Sequence, residues 1–191
     1  MELVRIQTSG AITMARNRYR IHDLPSAHFL TCTIVNWLPV FTRPATVDIV
    51  LDSFRYLQRE RGRLLYGYVI LENHLHWIAA SEDLSRDVGH FKSYTAKENV
   101  RQLEELRAYT LLEQFAFHKK RCKTDRKHQI WQEGSHPQEI QSWDMMRQKL
   151  DYIHENPVKR GYVDLAEHWR NSSARDYVGE EGMIEVSRDW G

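Results

Sequence analysis

The chain has 191 residues, which suits one domain with room for a packed core. Hydrophobic residues make up 41% of it, the formal net charge is +1, and no stretch is apolar enough for a membrane span. Its two cysteines lack metal-binding spacing, and its N-terminus lacks the order of a signal peptide. We expect a cytoplasmic protein with a single domain over residues 1–191, an irregular arm over about 1–27 and a tail over about 170–191.

The first half of the chain predicts three strands and one helix. His28–Val35 is rich in β-branched and aromatic residues, as strands are. Apolar side chains at helical spacing then predict a helix over about Ala45–Arg61, which Gly62 ends. Two more strands follow at Leu64–Leu71 and His74–Ala80.

The second half is mainly helical. Asp83 or Ser85 caps a long helix, and another helix follows over Tyr109–Phe117. Gln129–Gln132 is a short fourth strand, and a last helix from about Trp143 stops at Asn156-Pro157. The order β-α-β-β-α-β predicts an α+β fold of the ferredoxin-like (split βαβ) class, with an antiparallel sheet, helices on one face, and added C-terminal helices.

Two histidines one residue apart, His74 and His76, stand on the third predicted strand. Side chains alternate between faces along a strand, so both imidazoles point the same way. Imidazole nitrogens suit transition metals and can share Mg²⁺ or Mn²⁺ with oxygen ligands. Taken alone, such a pair is more typical of half-buried polar residues near a strand end.

The long helix after these strands carries a second candidate group. His90, Tyr94 and Glu98 are four residues apart and lie along one helix face, with Lys97 beside them. A tyrosine hydroxyl is a poor nucleophile unless something assists it, and a metal that polarises a phosphate gives that help. These residues would allow Tyr94 to attack a phosphate on a metal held by the histidine pair. A surface tyrosine that packs by its ring is the commoner alternative.

Positive charge is concentrated in two segments of a nearly neutral chain. Such clusters are compatible with contacts to nucleic acid, and solvated surface explains them about as well. The residues that we consider for DNA contacts are Arg16, Arg18 and Arg20, then Lys119, Lys120 and Arg121, with Lys92 and Lys97 beside the tyrosine.

Over roughly residues 16 to 178, the sequence resembles the REP-associated tyrosine transposases, a branch of the single-tyrosine HUH transposases that act on single-stranded DNA. GYVILENHLHWI carries the His-hydrophobe-His signature, and FKSYTAKEN matches the helix with the catalytic tyrosine. Three further blocks match: IWQEGSHPQEI, YIHENPVKRGYV and WRNSSARDYVG.

This resemblance implies a ferredoxin-like core, a divalent metal ion (Mg²⁺ or Mn²⁺), and cleavage that leaves a 5′-phosphotyrosine and a free 3′-OH. Relatives often place glutamine or asparagine four residues after the tyrosine as a third metal ligand, a position that Glu98 holds here. Asn99 is the alternative, but it lies about 100° further round the helix. The implied partner is single-stranded or hairpin DNA with REP-like palindromes, bound by a nucleoid-associated monomer or homodimer.

Three hypotheses follow from these residues. The first is a metal-dependent transesterase in which Tyr94 is the nucleophile and His74, His76 and Glu98 hold the metal. The second is a domesticated protein that binds hairpins without cutting them, for which the histidines and the tyrosine would not be needed. The third is a metallohydrolase that uses activated water, which leaves Tyr94 without a role.

Overall fold

A four-stranded antiparallel sheet organises the protein, and the computed structural model describes residues 26–120 and 124–190. The strands lie in the order β2-β3-β1-β4, which confirms the predicted ferredoxin-like arrangement. The elements are β1 (Ala27–Thr33), α1 (Pro44–Arg61), β2 (Leu64–Ile70), β3 (His74–Ala80), α2 (Leu84–Glu105), α3 (Tyr109–Phe117), β4 (Gln138–Glu139), α4 (Trp143–Lys159) and α5 (Ala174–Val178).

The sheet is covered on both faces, and each face has its own hydrophobic core. Leu75 and Trp77 of β3 point into the larger core, where Phe91 of α2 packs against Trp77 at 5.3 Å between ring centroids. Ile78 of β3 points the opposite way, into a smaller core with Leu150 of α4. The predicted helices α1 and α2 thus share one face, and the added helix α4 covers the other.

Local signals set most helix ends. Pro44 stands in the first turn of α1, and Gly62, at a φ of 61°, ends the helix in the left-handed conformation that glycine adopts easily. Asp83 is the N-cap of α2 and accepts a hydrogen bond from the Arg86 backbone N–H. Ser142 caps α4 in the same way.

The predicted end of α4 at Asn156-Pro157 is wrong, because the helix continues to Lys159 with Pro157 inside it. Proline removes one backbone donor and disfavours helical geometry at the preceding residue. Asn156 and Pro157 are both buried, so packing against the rest of the protein offsets that local cost.

The fourth strand also differs from its prediction. Trp131 forms an isolated bridge with Ile34 rather than a strand, although the neighbouring Gln132 N–H donates to Thr33 O. The strand that completes the sheet is Gln138–Glu139, which pairs with the start of β1. Two short backbone segments, at Trp131 and at Gln138–Glu139, therefore pair along the outer side of β1 and the residue after it.

Gly67 of β2 permits the close approach of α4. A Cβ at this position would lie 2.6 Å from Leu150 Cδ2, well inside van der Waals contact. The pairing of β2 with β3 shifts register between Leu65 and Gly67, as at a β-bulge. Leu150 of α4 can therefore lie this close to β2 because glycine has no side chain.

The C-terminal segment runs along the outer side of β2. Ile70 N–H donates to Asn171 O at 2.8 Å, and Ser173 N–H donates to Tyr68 O at 3.0 Å. Further on, Ser187 N–H donates to the Leu65 carbonyl at 2.8 Å. No helix within the described ranges is long and apolar enough to cross a membrane.

Candidate active site

The two histidines of β3 lie side by side on the sheet face that α4 covers. His74 is 3% exposed and His76 is 5% exposed, and their ring centroids are 5.0 Å apart. The strand alternation predicted from the sequence therefore holds, and both imidazoles share one face.

Each imidazole is oriented by a hydrogen bond at Nδ1. His74 Nδ1 lies 2.7 Å from the Asn73 side-chain oxygen, which only accepts, so this nitrogen carries the proton. His76 Nδ1 lies 2.8 Å from the Thr31 hydroxyl on the neighbouring strand. Metal-binding histidines are commonly held in this way, with Nδ1 donating to a nearby oxygen and Nε2 free as the ligand.

Burial keeps both imidazoles neutral. It lowers the pKa of His74 to about 4, with a further contribution from the Arg160 cation. Burial likewise lowers the pKa of His76 to about 3, and His74, Arg160 and Lys149 add to the shift. Near neutral pH both rings are in the unprotonated form that binds metals.

Helix α4 brings a tyrosine to the histidine pair. The Tyr152 ring lies 5.2 Å from the His76 ring at an interplanar angle of 71°, and its side chain is 44% exposed. Asn156, one helical turn later, is 9% exposed, and its side-chain oxygen accepts a hydrogen bond from Arg160 Nε at 3.2 Å. Ile153, on the same helix, packs into the smaller core and fixes the face that α4 turns to the sheet.

These side chains line a cavity of about 320 Å³. It is bounded by Thr31, Trp37, His74, His76, Tyr152, Asn156, Lys159 and Arg160. The cavity therefore combines two neutral imidazoles, an amide, a phenol and two cationic side chains. Within residues 26–120 and 124–190, no three histidine, cysteine or acidic side chains form a group suited to a metal. Among the residues that line the cavity, Asn156 offers an amide oxygen as a third ligand.

Tyr94 and Glu98 do not reach the histidines, so the predicted grouping is wrong. Both belong to α2, which packs on the opposite face of the sheet through residues such as Phe91. Tyr94 is 49% exposed, and Glu98 forms an ion pair with Arg101 at 2.8 Å. The alternative ligand Asn99 is buried on α2, where its side-chain N–H donates to Thr95 O.

The residues predicted to contact DNA lie in different surroundings. Lys92 Nζ donates to the carbonyls of Gln132 and Gly134, and Lys120 forms an ion pair with Glu133 at 2.5 Å. Lys97 is exposed on α2, and Lys119 is partly buried after α3. Four of the predicted contacts, Arg16, Arg18, Arg20 and Arg121, lie outside the described residues.

Sequence reasoning missed Tyr152, Asn156, Trp37, Lys159 and Arg160 as site residues. A signal was present: YIHENP places an asparagine four residues after a tyrosine, the spacing that the resemblance implies for the third ligand. The α2 segment offers the same spacing with a glutamate. The two tyrosines are distinguished by the sheet face that each helix covers.

The chain was compared with protein-family models, curated proteins and solved structures. No protein-family model matches the chain, and no curated protein matches it. Among solved structures, the chain is similar to a REP-associated tyrosine transposase bound to a REP hairpin, with a TM-score of 0.57 and 19% identity over 86% of this chain and 87% of the other. The two proteins share a fold. The resemblance drawn from the sequence motifs is thus confirmed at the level of fold.

Proposed function

We propose that the protein is a metal-dependent DNA transesterase, a transposase, that cleaves and rejoins single-stranded DNA beside a palindromic hairpin. The observation that carries this proposal is the approach of Tyr152 to His76, 5.2 Å between ring centroids, in the cavity that Asn156 also lines. The fold shared with a tyrosine transposase bound to a hairpin supports the same class of ligand. The nucleophile in this proposal is Tyr152 in place of Tyr94.

The ligands that we assign to a divalent metal are Nε2 of His74, Nε2 of His76 and the side-chain oxygen of Asn156. Two neutral imidazoles and an amide oxygen suit Mn²⁺ and are compatible with Mg²⁺. When bound, such an ion polarises the scissile phosphate and neutralises developing charge. Hydrogen bonds from the Nδ1 atoms to Asn73 and Thr31 would hold both rings ready for that role.

Tyr152 attacks the phosphorus atom with its hydroxyl oxygen in this mechanism. The new Tyr152 O–P bond replaces the bond from phosphorus to the 3′-oxygen, which leaves and takes up a proton as a 3′-OH. The phenol proton passes to water, which reaches the exposed part of the side chain. The 5′-phosphotyrosine keeps an ester of similar energy, so another 3′-OH can attack it and join strands.

Lys159 and Arg160 supply the positive charge of the cavity. Arg160 is held in place, since it donates to Asn156 and forms an ion pair with Glu72 at 3.2 Å. A guanidinium fixed in this way can contact phosphate oxygens with two of its N–H groups. Lys159 acts as a more mobile point charge.

The deciding experiment is to locate the covalent adduct. The protein is incubated with Mn²⁺ and a pool of labelled hairpin oligonucleotides with randomised single-stranded flanks. Adducts that resist denaturation are digested with trypsin and nuclease and examined by mass spectrometry. We expect the phosphonucleotide on the peptide Leu150–Lys159, whereas the sequence-based assignment places it on Ser93–Lys97.

Other results would favour the alternative functions. Tight hairpin binding without an adduct in any divalent metal would favour a domesticated binding protein. Cleavage without an adduct would favour a metallohydrolase, since water would then be the nucleophile.

A further inference from the structure

Trp37 is a large aromatic side chain that lines the cavity and is nevertheless 54% exposed. Its ring lies 5.4 Å from the His74 ring at an interplanar angle of 73°. Tyr152 contacts the other histidine of the pair, His76. The two aromatic side chains therefore flank the histidine pair at its two ends. An exposed indole offers a broad apolar face to whatever occupies the cavity.

The backbone holds Trp37 in a conformation that it does not favour. Asn36 has a φ of 52° and Trp37 a φ of 54°, both in the left-handed region. Asparagine tolerates this region, but tryptophan seldom adopts it. Such conformations persist where surrounding contacts fix them, and they are often found at functional sites. Here the Trp37 N–H donates to Ile34 O at 3.0 Å.

A second contact ties this turn to the end of α3. The Asn36 side-chain nitrogen lies 3.0 Å from His118 Nε2. The His118 ring in turn contacts Phe117, with 5.1 Å between ring centroids. Phe117 is 82% exposed. The turn that carries Trp37 is thus tied, through Asn36 and His118, to the end of α3 that carries this exposed aromatic.

We propose that Trp37 stacks on the base next to the scissile phosphate, and that the single strand continues from there toward Phe117. This inference rests on the proposed function, because it takes single-stranded DNA as the substrate. Unpaired bases present open faces that stack on aromatic side chains, whereas paired bases in a duplex do not. Trp37 lines the candidate active-site cavity itself, which favours the substrate over a protein partner as the occupant.

The experiment measures equilibrium binding without turnover, in a Tyr152→Phe background. The probes are a fluorescent oligothymidylate of about 12 nucleotides, within the usual site size for single strands, and an abasic oligonucleotide of the same length. Trp37→Ala should weaken binding of the oligothymidylate by about fivefold to 150-fold, the range for one stacked base. Binding of the abasic probe should not change, since it has phosphates but no bases.

Matched variants separate stacking from general effects. Trp37→Phe should retain most of the affinity because it keeps an aromatic face. Tyr56→Ala removes another exposed aromatic, 52% exposed on α1 across the sheet, and should leave binding unchanged. Phe117→Ala should weaken binding of the oligothymidylate and leave the abasic probe unaffected.

Several results would overturn the inference. Base stacking at Trp37 would be excluded if Trp37→Ala bound the oligothymidylate as tightly as before, or if it lost the same affinity for both probes. Unchanged binding by Phe117→Ala would overturn the path toward α3. Equal preference for duplex DNA would exclude unpaired bases as the ligand. The proposed function fails separately, through an adduct on a residue other than Tyr152, so the two failures can be told apart.

Discussion

Tyr152 of α4 meets His76 of β3 edge to face, with 5.2 Å between ring centroids and 71° between ring planes. This contact joins β3 to α4, a helix that lies outside the β-α-β-β-α-β pattern. The helix therefore brings a phenol to the histidine pair as well as covering this face of the sheet.

Removing the phenol oxygen of Tyr152 should abolish the adduct. Tyr152→Phe keeps the ring contacts with His76 and Phe29, so the free energy of unfolding should barely change. Adduct formation should fall by about a thousandfold or more, as is typical when a nucleophile is lost. Tyr94→Phe is the matched control and should react like the unmodified protein. Gel assays of both variants with labelled hairpin DNA make the comparison, and the reverse pattern would restore the sequence-based assignment.

Metal affinity should depend on the histidine pair and on Asn156. Thr31→Val keeps the side-chain shape but removes the hydrogen bond to His76, so it should weaken Mn²⁺ binding by about 10- to 100-fold. His76→Ala should weaken it more, because a ligand itself is lost. Titration calorimetry with Mn²⁺ measures both effects.

Asn156→Ala and Glu98→Ala test the third ligand in the same assay. Asn156→Ala should reduce Mn²⁺ affinity, and Glu98→Ala should not, because Glu98 lies across the sheet and pairs with Arg101. A loss of affinity confined to Glu98→Ala would contradict the ligand set.

The placement of α4 should be sensitive to one methyl group on β2. Gly67→Ala puts a Cβ 2.6 Å from Leu150 Cδ2, so we expect about 1–3 kcal/mol of destabilisation from overpacking. Because α4 carries Tyr152, adduct formation should also fall in protein that remains folded. Urea unfolding and adduct assays test the two effects.

Gly89→Ala provides the control for this substitution. Nothing lies within 4 Å of a Cβ at Gly89, which is an exposed position in α2. Alanine should stabilise the helix there by about 0.5–1 kcal/mol and leave activity unchanged. Equal behaviour of the two variants would mean that Gly67 does not set the position of α4.

The cations of the cavity should contribute to DNA binding through phosphate contacts. Lys159→Ala and Arg160→Ala should each reduce the slope of log affinity against log salt by about 0.7, the value for one single-strand phosphate. Lys92→Ala should leave the slope unchanged, because Lys92 donates to backbone carbonyls of residues 132 and 134. If the salt dependence of binding changed only in Lys92→Ala, the DNA would instead be bound on the sheet face that α2 covers.

The sequence was sufficient for much of the fold. Strand alternation correctly placed His74 and His76 on one face, and the order of elements led to the correct fold class and its first three strands. Both are local properties, since each depends on residues close together in the chain. The position of the two-residue β4 and the continuation of α4 past Pro157 depend on packing between distant segments. Local sequence propensity carries no information about such packing.

Sequence reasoning named Tyr94 and did not consider Tyr152, for a related reason. Tyr94 and Tyr152 each precede an oxygen-bearing side chain by four residues, so helix geometry does not distinguish them. The apolar stripe of α2 includes Phe91, which packs on Trp77, and Trp77 points away from His76. Neighbouring side chains of β3 point to opposite faces of the sheet, so Trp77 and His76 do too. Once each helix is assigned to a face, α2 and Tyr94 lie on the face opposite the histidines.

The C-terminal segment bonded along β2 has a consequence for self-association. Strands with free edges let another chain add itself to the sheet, in pairs or in aggregates. Here the backbone groups of Tyr68 and Ile70 already bond residues 173 and 171, and Leu65 bonds Ser187. A second copy cannot extend the sheet past β2 at these positions unless residues 171–173 and 187 first detach.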